Sequence, residues 1–134
     1  MSLFGKLLGN NASGPYPPGV KVYAALLTQA SADDPTATVL ENTLGGTVVW
    51  TRGDIGLYIG TASAEVFTAD KTCLPPVNAS ASLDGVTSFV VTSFYRNGAD
   101  DLRLQTAVVD PAGGTLSLSD GLLTSTYVEI LVYP

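Results

Sequence analysis

The chain has 134 residues, 46% of them apolar and only 13% charged, with twelve acidic side chains against six basic ones for a net charge of −6. That length holds one domain with its own core, and an apolar-rich, charge-poor balance excludes a disordered chain. Lys6, Lys21, Arg52, Lys71, Arg96 and Arg103 are scattered singly, so no basic cluster offsets repulsion from a phosphate backbone, and nucleic-acid binding is disfavoured.

Leu3, Phe4, Leu7 and Leu8 fall at helical spacing and make one apolar stripe, which Gly9 and Asn10-Asn11 end. A helix of two turns does not hold on its own in water. The stripe must rest on its own domain, a sister subunit or another protein, or else stay disordered. Ala12-Ser13-Gly14-Pro15-Tyr16-Pro17-Pro18-Gly19 follows as a linker in which proline forbids helix, and its reach favours docking onto another chain. Residues 1–19 are therefore read as a docking arm with its linker, and residues 20–134 as the domain. The opening segment carries Lys6 inside a short apolar run, unlike a signal peptide. No stretch has the length of a membrane span. Cytoplasmic synthesis and no membrane partner are expected.

From Val20 onward, strand-like runs alternate with turn signals about every 8–12 residues, the pattern of a sandwich or barrel. Val20–Gln29 is the first predicted strand, and Ala32-Asp33-Asp34-Pro35 turns the chain into Thr36–Leu44. Gly45-Gly46 predicts a tight hairpin into Thr47–Arg52. Gly53-Asp54 turns into Leu57–Ala62, and Ala62–Ala69 reads as a loop or a single turn. Lys71–Val77 is a short strand that Pro75-Pro76 confines to an edge or bulge.

Val86–Arg96 is the strongest strand, with Val86, Ser88, Val90, Thr92 and Phe94 on one face and Phe89, Val91 and Tyr95 on the other. Asn97-Gly98 predicts a hairpin into Leu102–Val109. Pro111-Ala112-Gly113-Gly114 turns again, Leu116 and Leu118 add a short segment, and Thr126–Tyr133 closes the domain. The expected fold is all-β: an antiparallel β-sandwich of jelly-roll or Greek-key type with seven or eight strands and a short N-terminal helical arm.

Little in the sequence carries catalytic chemistry. Histidine is absent, which removes the commonest general base and the usual triads. Cys73 stands alone in Thr72-Cys73-Leu74 and is expected to be a small buried hydrophobe. The Gly-Gly pairs lack the Lys and helix of a phosphate loop. Glu41, Glu65, Glu129 and the aspartates leave two-carboxylate hydrolysis open in principle. Asp33-Asp34, Asp54, Asp84 and Asp120, however, occupy turn positions where short side chains bond to backbone. Asp100 and Asp101 could hold calcium through hard oxygen ligands, but they lack the spacing of a calcium loop and read as a solvated hairpin tip. No cofactor or metal site is expected. Trp50 is expected in the core, the alternative being an aromatic platform for a sugar or an interface, with Tyr16, Tyr58 and Tyr95 as similar surfaces.

The stretch YAALLTQ at 23–29, PTATVLENTLGGTVVWTR at 35–52 and GLYIGT at 56–61 resembles a segment recurring in small proteins of tailed bacteriophages and their metagenomic relatives. The resemblance covers about the first third of the domain. It implies a virion structural role, as a capsid decoration protein, head fibre or tail component, and it brings no catalytic motif with it. Such proteins form closed symmetric oligomers, so a homo-oligomer, trimer or pentamer, is expected on the virion with capsid or tail subunits as partners. Leu3, Phe4, Leu7 and Leu8 are then the docking residues. The alternative reading is a carbohydrate- or receptor-binding module that takes a host surface glycan, and an enzyme stands third.

Overall fold

β-Branched and aromatic residues alternate with small polar ones along most of the chain, and a pleated backbone turns that alternation into two-faced strands. The computed structural model describes residues 16–79 and 89–134. Nine strands form among them: β1 (Lys21–Thr28), β2 (Thr36–Asn42), β3 (Val48–Asp54), β4 (Leu57–Ala62), β5 (Thr72–Cys73), β6 (Phe89–Arg96), β7 (Asp101–Asp110), β8 (Thr115–Leu118) and β9 (Thr126–Val132). The described residues contain no helix. The expected helical arm with Leu3, Phe4, Leu7 and Leu8 lies outside them, as does Val86–Ser88 of the predicted sixth strand.

The strands make two antiparallel sheets, so the fold is an all-β sandwich. Sheet A runs β2-β1-β9-β5 and sheet B runs β3-β4-β7-β6, with β8 also on β7. β6 pairs along one edge of β7, while β4 takes residues 101–105 of the other edge and β8 continues it at 107–110. β7 is therefore the centre of sheet B.

The inner faces follow from alternation. Tyr23, Ala25 and Leu27 of β1 and Val128, Ile130 and Val132 of β9 meet Trp50, Tyr58, Leu102 and Leu104 of sheet B. The loops add Leu44, Phe67, Val77 and Leu123, each buried. Trp50 lies opposite Gly60, whose missing side chain leaves room for the indole. It donates its Nε1–H to the Tyr23 hydroxyl at 3.1 Å and packs tilted against Phe94 at 6.1 Å. Trp50 is thus a core residue bridging the two sheets, with its polar atom satisfied as a buried indole requires.

Three expectations are corrected. The described residues hold nine strands where seven or eight were expected, because the short segments Thr72–Cys73 and Thr115–Leu118 both pair, with β9 and β7. Gly45-Gly46 does not make a hairpin: β2 pairs with β1 in sheet A, β3 pairs with β4 in sheet B, and the glycines cross between sheets. Asn42 directs this crossing, accepting from the Leu44 N–H at 3.0 Å and donating to the Gly46 carbonyl at 2.8 Å. Leu44 meanwhile plugs fully into the core. Cys73 is exposed, not buried. It pairs with Leu131 at the edge of sheet A, and the chain leaves the sheet at once through Leu74-Pro75-Pro76.

Candidate interaction surface

The outer face of sheet B carries two apolar rows that cross three strands. Phe89 of β6 lies opposite Val109 of β7, which lies opposite Leu116 of β8; two residues along, Val91, Ala107 and Leu118 repeat the arrangement. Alternation sends Leu102, Leu104 and Thr106 into the core and these partners outward. Phe89, Leu116 and Leu118 remain 51%, 64% and 44% exposed. Between the rows lies a hollow of about 140 Å³, lined by Val91, Ala107, Leu116, Leu118 and the shorter Ser93 and Gln105. Val49 on β3 and Tyr95 on β6 extend the exposed apolar surface of this sheet. Scattered apolar residues are normal on any protein surface, whereas rows of them on one face make that face a candidate for interaction.

On the outer face of sheet A, a carboxylate gathers two tyrosines. Tyr16 and Tyr127 both donate to Oε2 of Glu129, at 3.0 and 2.5 Å. Ala24 sits between Glu129 and Glu41 in the sheet, so the two acids flank it on one face. Partial burial, the bond to Glu129 and the negative charge of Glu129 and Glu41 push the Tyr16 phenol up from 10.0 to about 12. The Tyr127 phenol is raised too, by burial first, then by the bond to Glu129 and its charge, with Tyr16 and Glu41 adding less. Tyr127 and Tyr133 stay 47% and 40% exposed, leaving ring surface for a visitor.

A third cluster closes one end of the sandwich. Arg52 donates from Nε and from a terminal nitrogen to Asp120 at 2.9–3.2 Å, and the Gly56 N–H donates to Asp120 Oδ1 at 2.9 Å. Gln29, nearly buried, donates to the Asp33 carbonyl and accepts from the Tyr58 hydroxyl and the Gly121 N–H. Donors around Asp120, Arg52 foremost and then Gly56 and Gln29, hold its carboxyl below the ordinary range against the opposing effect of burial. Every named group here is paired within the protein, which suits a clasp between loops.

Several residues singled out in the sequence fall elsewhere. The docking residues Leu3, Phe4, Leu7 and Leu8 lie outside the described residues. Tyr58 is buried, Tyr16 stands on sheet A and Tyr95 on sheet B, so the three do not converge. At the Asn97-Gly98 hairpin tip, Asp101 accepts from Asn97 Nδ2 at 2.6 Å and from Arg103 at 3.2 Å. The guanidinium takes an oxygen that a calcium ion would need and repels the ion. Among the described residues, no group of three metal-capable side chains forms. Sequence reasoning missed Tyr127 and Tyr133, although the spacing Tyr127, Glu129, Leu131, Tyr133 places them on one strand face. Lys21 and Lys71 share the rim of a second hollow of about 300 Å³ with Glu65 and Thr68.

Comparison with protein-family models, with curated proteins and with solved structures finds no match to this chain.

Proposed function

We propose that the chain is a non-enzymatic structural protein of a tailed-phage virion, a capsid decoration, head-fibre or tail component. In this reading residues 1–19 attach it to the particle through Leu3, Phe4, Leu7 and Leu8, and its partners are its own copies, as a trimer or pentamer, and capsid or tail subunits. The observation that carries the reading is the pair of apolar rows on sheet B, which leave Leu116 and Leu118 exposed in a domain of few charges. Water tolerates such a face poorly, and a subunit packed among neighbours covers it. The resemblance over the first third of the domain supplies the virion setting. The chain passes between sheets after β2, β4, β5 and β8, which is compatible with a jelly-roll or Greek-key path. The test is deletion of residues 2–14: the domain is expected to stay folded and to be lost from purified particles. Undiminished incorporation would refute the anchor.

A second reading, a carbohydrate- or receptor-binding module, draws on Tyr127 and Tyr133 beside Glu129 on sheet A. Exposed rings beside a carboxylate suit the faces and hydroxyls of a sugar. It predicts binding on a glycan array that Tyr127→Ala abolishes, and an array without hits removes it.

A further inference from the structure

We infer that the free edge of β2 pairs antiparallel with β2 of a second copy of this chain, joining the two copies about a two-fold axis. The contact is separate from residues 1–19 and from the sheet B surface. A two-fold contact also combines with any ring contact into a larger closed assembly.

Three observations carry it. First, the edge is open. Sheet A runs β2-β1-β9-β5, so among the described residues β2 has a strand on one side only. Alternate backbone N–H and C=O groups of such a strand point away from its sheet and template another strand. All seven residues of Thr36–Asn42 are exposed. Ala37 and Val39 pair with the core residues Leu27 and Ala25 and share their inward side, yet Val39 is 51% exposed. β2 therefore projects past the packed core.

Second, the strand carries few of the usual guards. Its sequence TATVLEN holds three β-branched residues, one charge and no lysine, glycine or proline, a composition that favours pairing with another strand. The other edges are blunted. β5 has two residues and runs into Pro75-Pro76, and β8 has four. On β3 the Asp34 carboxylate accepts from the Arg52 N–H at 2.7 Å, and Arg52 adds a charge. β6 ends in Arg96, whose Nε–H donates to the Phe67 carbonyl at 2.7 Å. β2 has one guard, a bulge at Leu40, since Ala24 pairs with Glu41 and Ala25 with Val39. It lies beyond the regular run Thr36–Val39.

Third, the strand is complementary to itself. Centred on Thr38, two antiparallel copies set Ala37 opposite Val39 and Thr36 opposite Leu40. Glu41 then falls beside Pro35, past the end of the strand. A register centred on Ala37 sets Glu41 against Asp33 instead, and like charges facing each other across paired strands repel. Charge thus favours the Thr38 register, and the two-fold axis forms each of its contacts twice.

The experiment measures the mass of the purified full chain by sedimentation over a range of concentrations. Wild type is expected to double its mass as concentration rises, whether the starting unit is one chain or a ring. Thr38→Lys and Thr38→Glu each set two like charges face to face, and each is expected to double at least about 10-fold more weakly. Mixed in equal amounts, they are expected to pair at least as tightly as wild type, because opposite charges then meet. Thr38 is exposed, and recovery on mixing shows that both variants are folded. Thr38→Ser is expected to match wild type. Wild type whose mass never doubles overturns the inference, as does doubling that neither charge disturbs. A mixture that fails to restore it also overturns it, since the two strands then do not meet at Thr38. None of these outcomes bears on deletion of residues 2–14, which judges particle attachment by itself.

Discussion

The Tyr16 hydroxyl donates to Oε2 of Glu129 at 3.0 Å, joining residues 113 positions apart. A Pro-rich stretch that reads as a free linker is therefore pinned at its middle to β9, the second strand from the edge of sheet A. The Val20 N–H donating to the Pro17 carbonyl at 3.3 Å tightens the same stretch into a turn. Tyr16→Phe removes one hydrogen bond of a half-exposed group, a loss of about 0.5–1.5 kcal/mol at most. Global unfolding is expected to shift little, while limited proteolysis cuts ahead of Val20 several times faster. Equal cleavage rates in the two proteins would show that the bond does not hold the segment.

Glu129 also makes the domain sensitive to alkali. Burial, followed by the Glu129 carboxylate, favours the neutral phenols of Tyr16 and Tyr127 in the folded state, raising Tyr16 from 10.0 to about 12. A group whose folded value is raised contributes stability that is whole below its unfolded value and is lost as pH climbs through the folded one. Stability is thus expected to hold steady up to pH 10 on account of these groups and to fall between 10 and 12. Spectrophotometric titration of tyrosinate, compared with Glu129→Gln, checks the cause: the variant is expected to ionise these tyrosines at lower pH. An unchanged titration curve would remove Glu129 as the reason.

Asp120 acts at the opposite end of the pH scale. It holds Arg52 and the Gly56 N–H, and Asp120→Ala removes the acceptor these donors share, so the variant is expected to be less stable at neutral pH. Its folded value is depressed, first by Arg52, so its contribution is present above the ordinary carboxylate value of 3.8 and is lost as pH falls below it. Denaturant midpoints at neutral and acid pH measure both effects. The gap between wild type and Asp120→Ala is expected to close in acid, and a constant gap would show that its charge is irrelevant.

What the sequence makes legible is what local alternation controls. Phe94 points inward against Trp50 while Phe89 and Tyr95 point out, as a period of two along β6 requires. Asn97-Gly98 makes its hairpin because the strands that flank it pair in one sheet, Phe89–Arg96 against Leu102–Val109. Gly45-Gly46 carries the same local signal, yet the burial of Leu44 and the capping by Asn42 carry the chain to the other sheet. Turn chemistry says that a chain bends, and long-range packing decides where it goes next. The same limit hides the surfaces: Leu116 and Phe89 are 27 positions apart by residue number, and only the shared neighbour Val109 brings them into one row. Tyr16 and Glu129 lie further apart still.

Gly56 and Gly45 separate backbone conformation from space. Both have positive φ, +62° and +88°, which side chains other than glycine adopt at a cost. Around Gly45 nothing lies within 4 Å of an added Cβ, so Gly45→Ala bears the conformational cost alone, about 1 kcal/mol. At Gly56 an added Cβ meets the Thr106 carbonyl oxygen at 2.5 Å and the Ser119 nitrogen at 2.7 Å. Both are backbone atoms held by their own bonds, Thr106 N to Gly56 O at 2.8 Å and Ser119 N to Thr106 O at 3.0 Å. They cannot yield without opening the clasp around Asp120. Gly56→Ala is expected to cost at least about 3 kcal/mol, beyond the usual range for a strained residue. Thermal unfolding of the two variants side by side tests the difference. Equal losses would mean that the β3–β4 turn is not pressed against β7 and the β8–β9 loop as closely as these distances require.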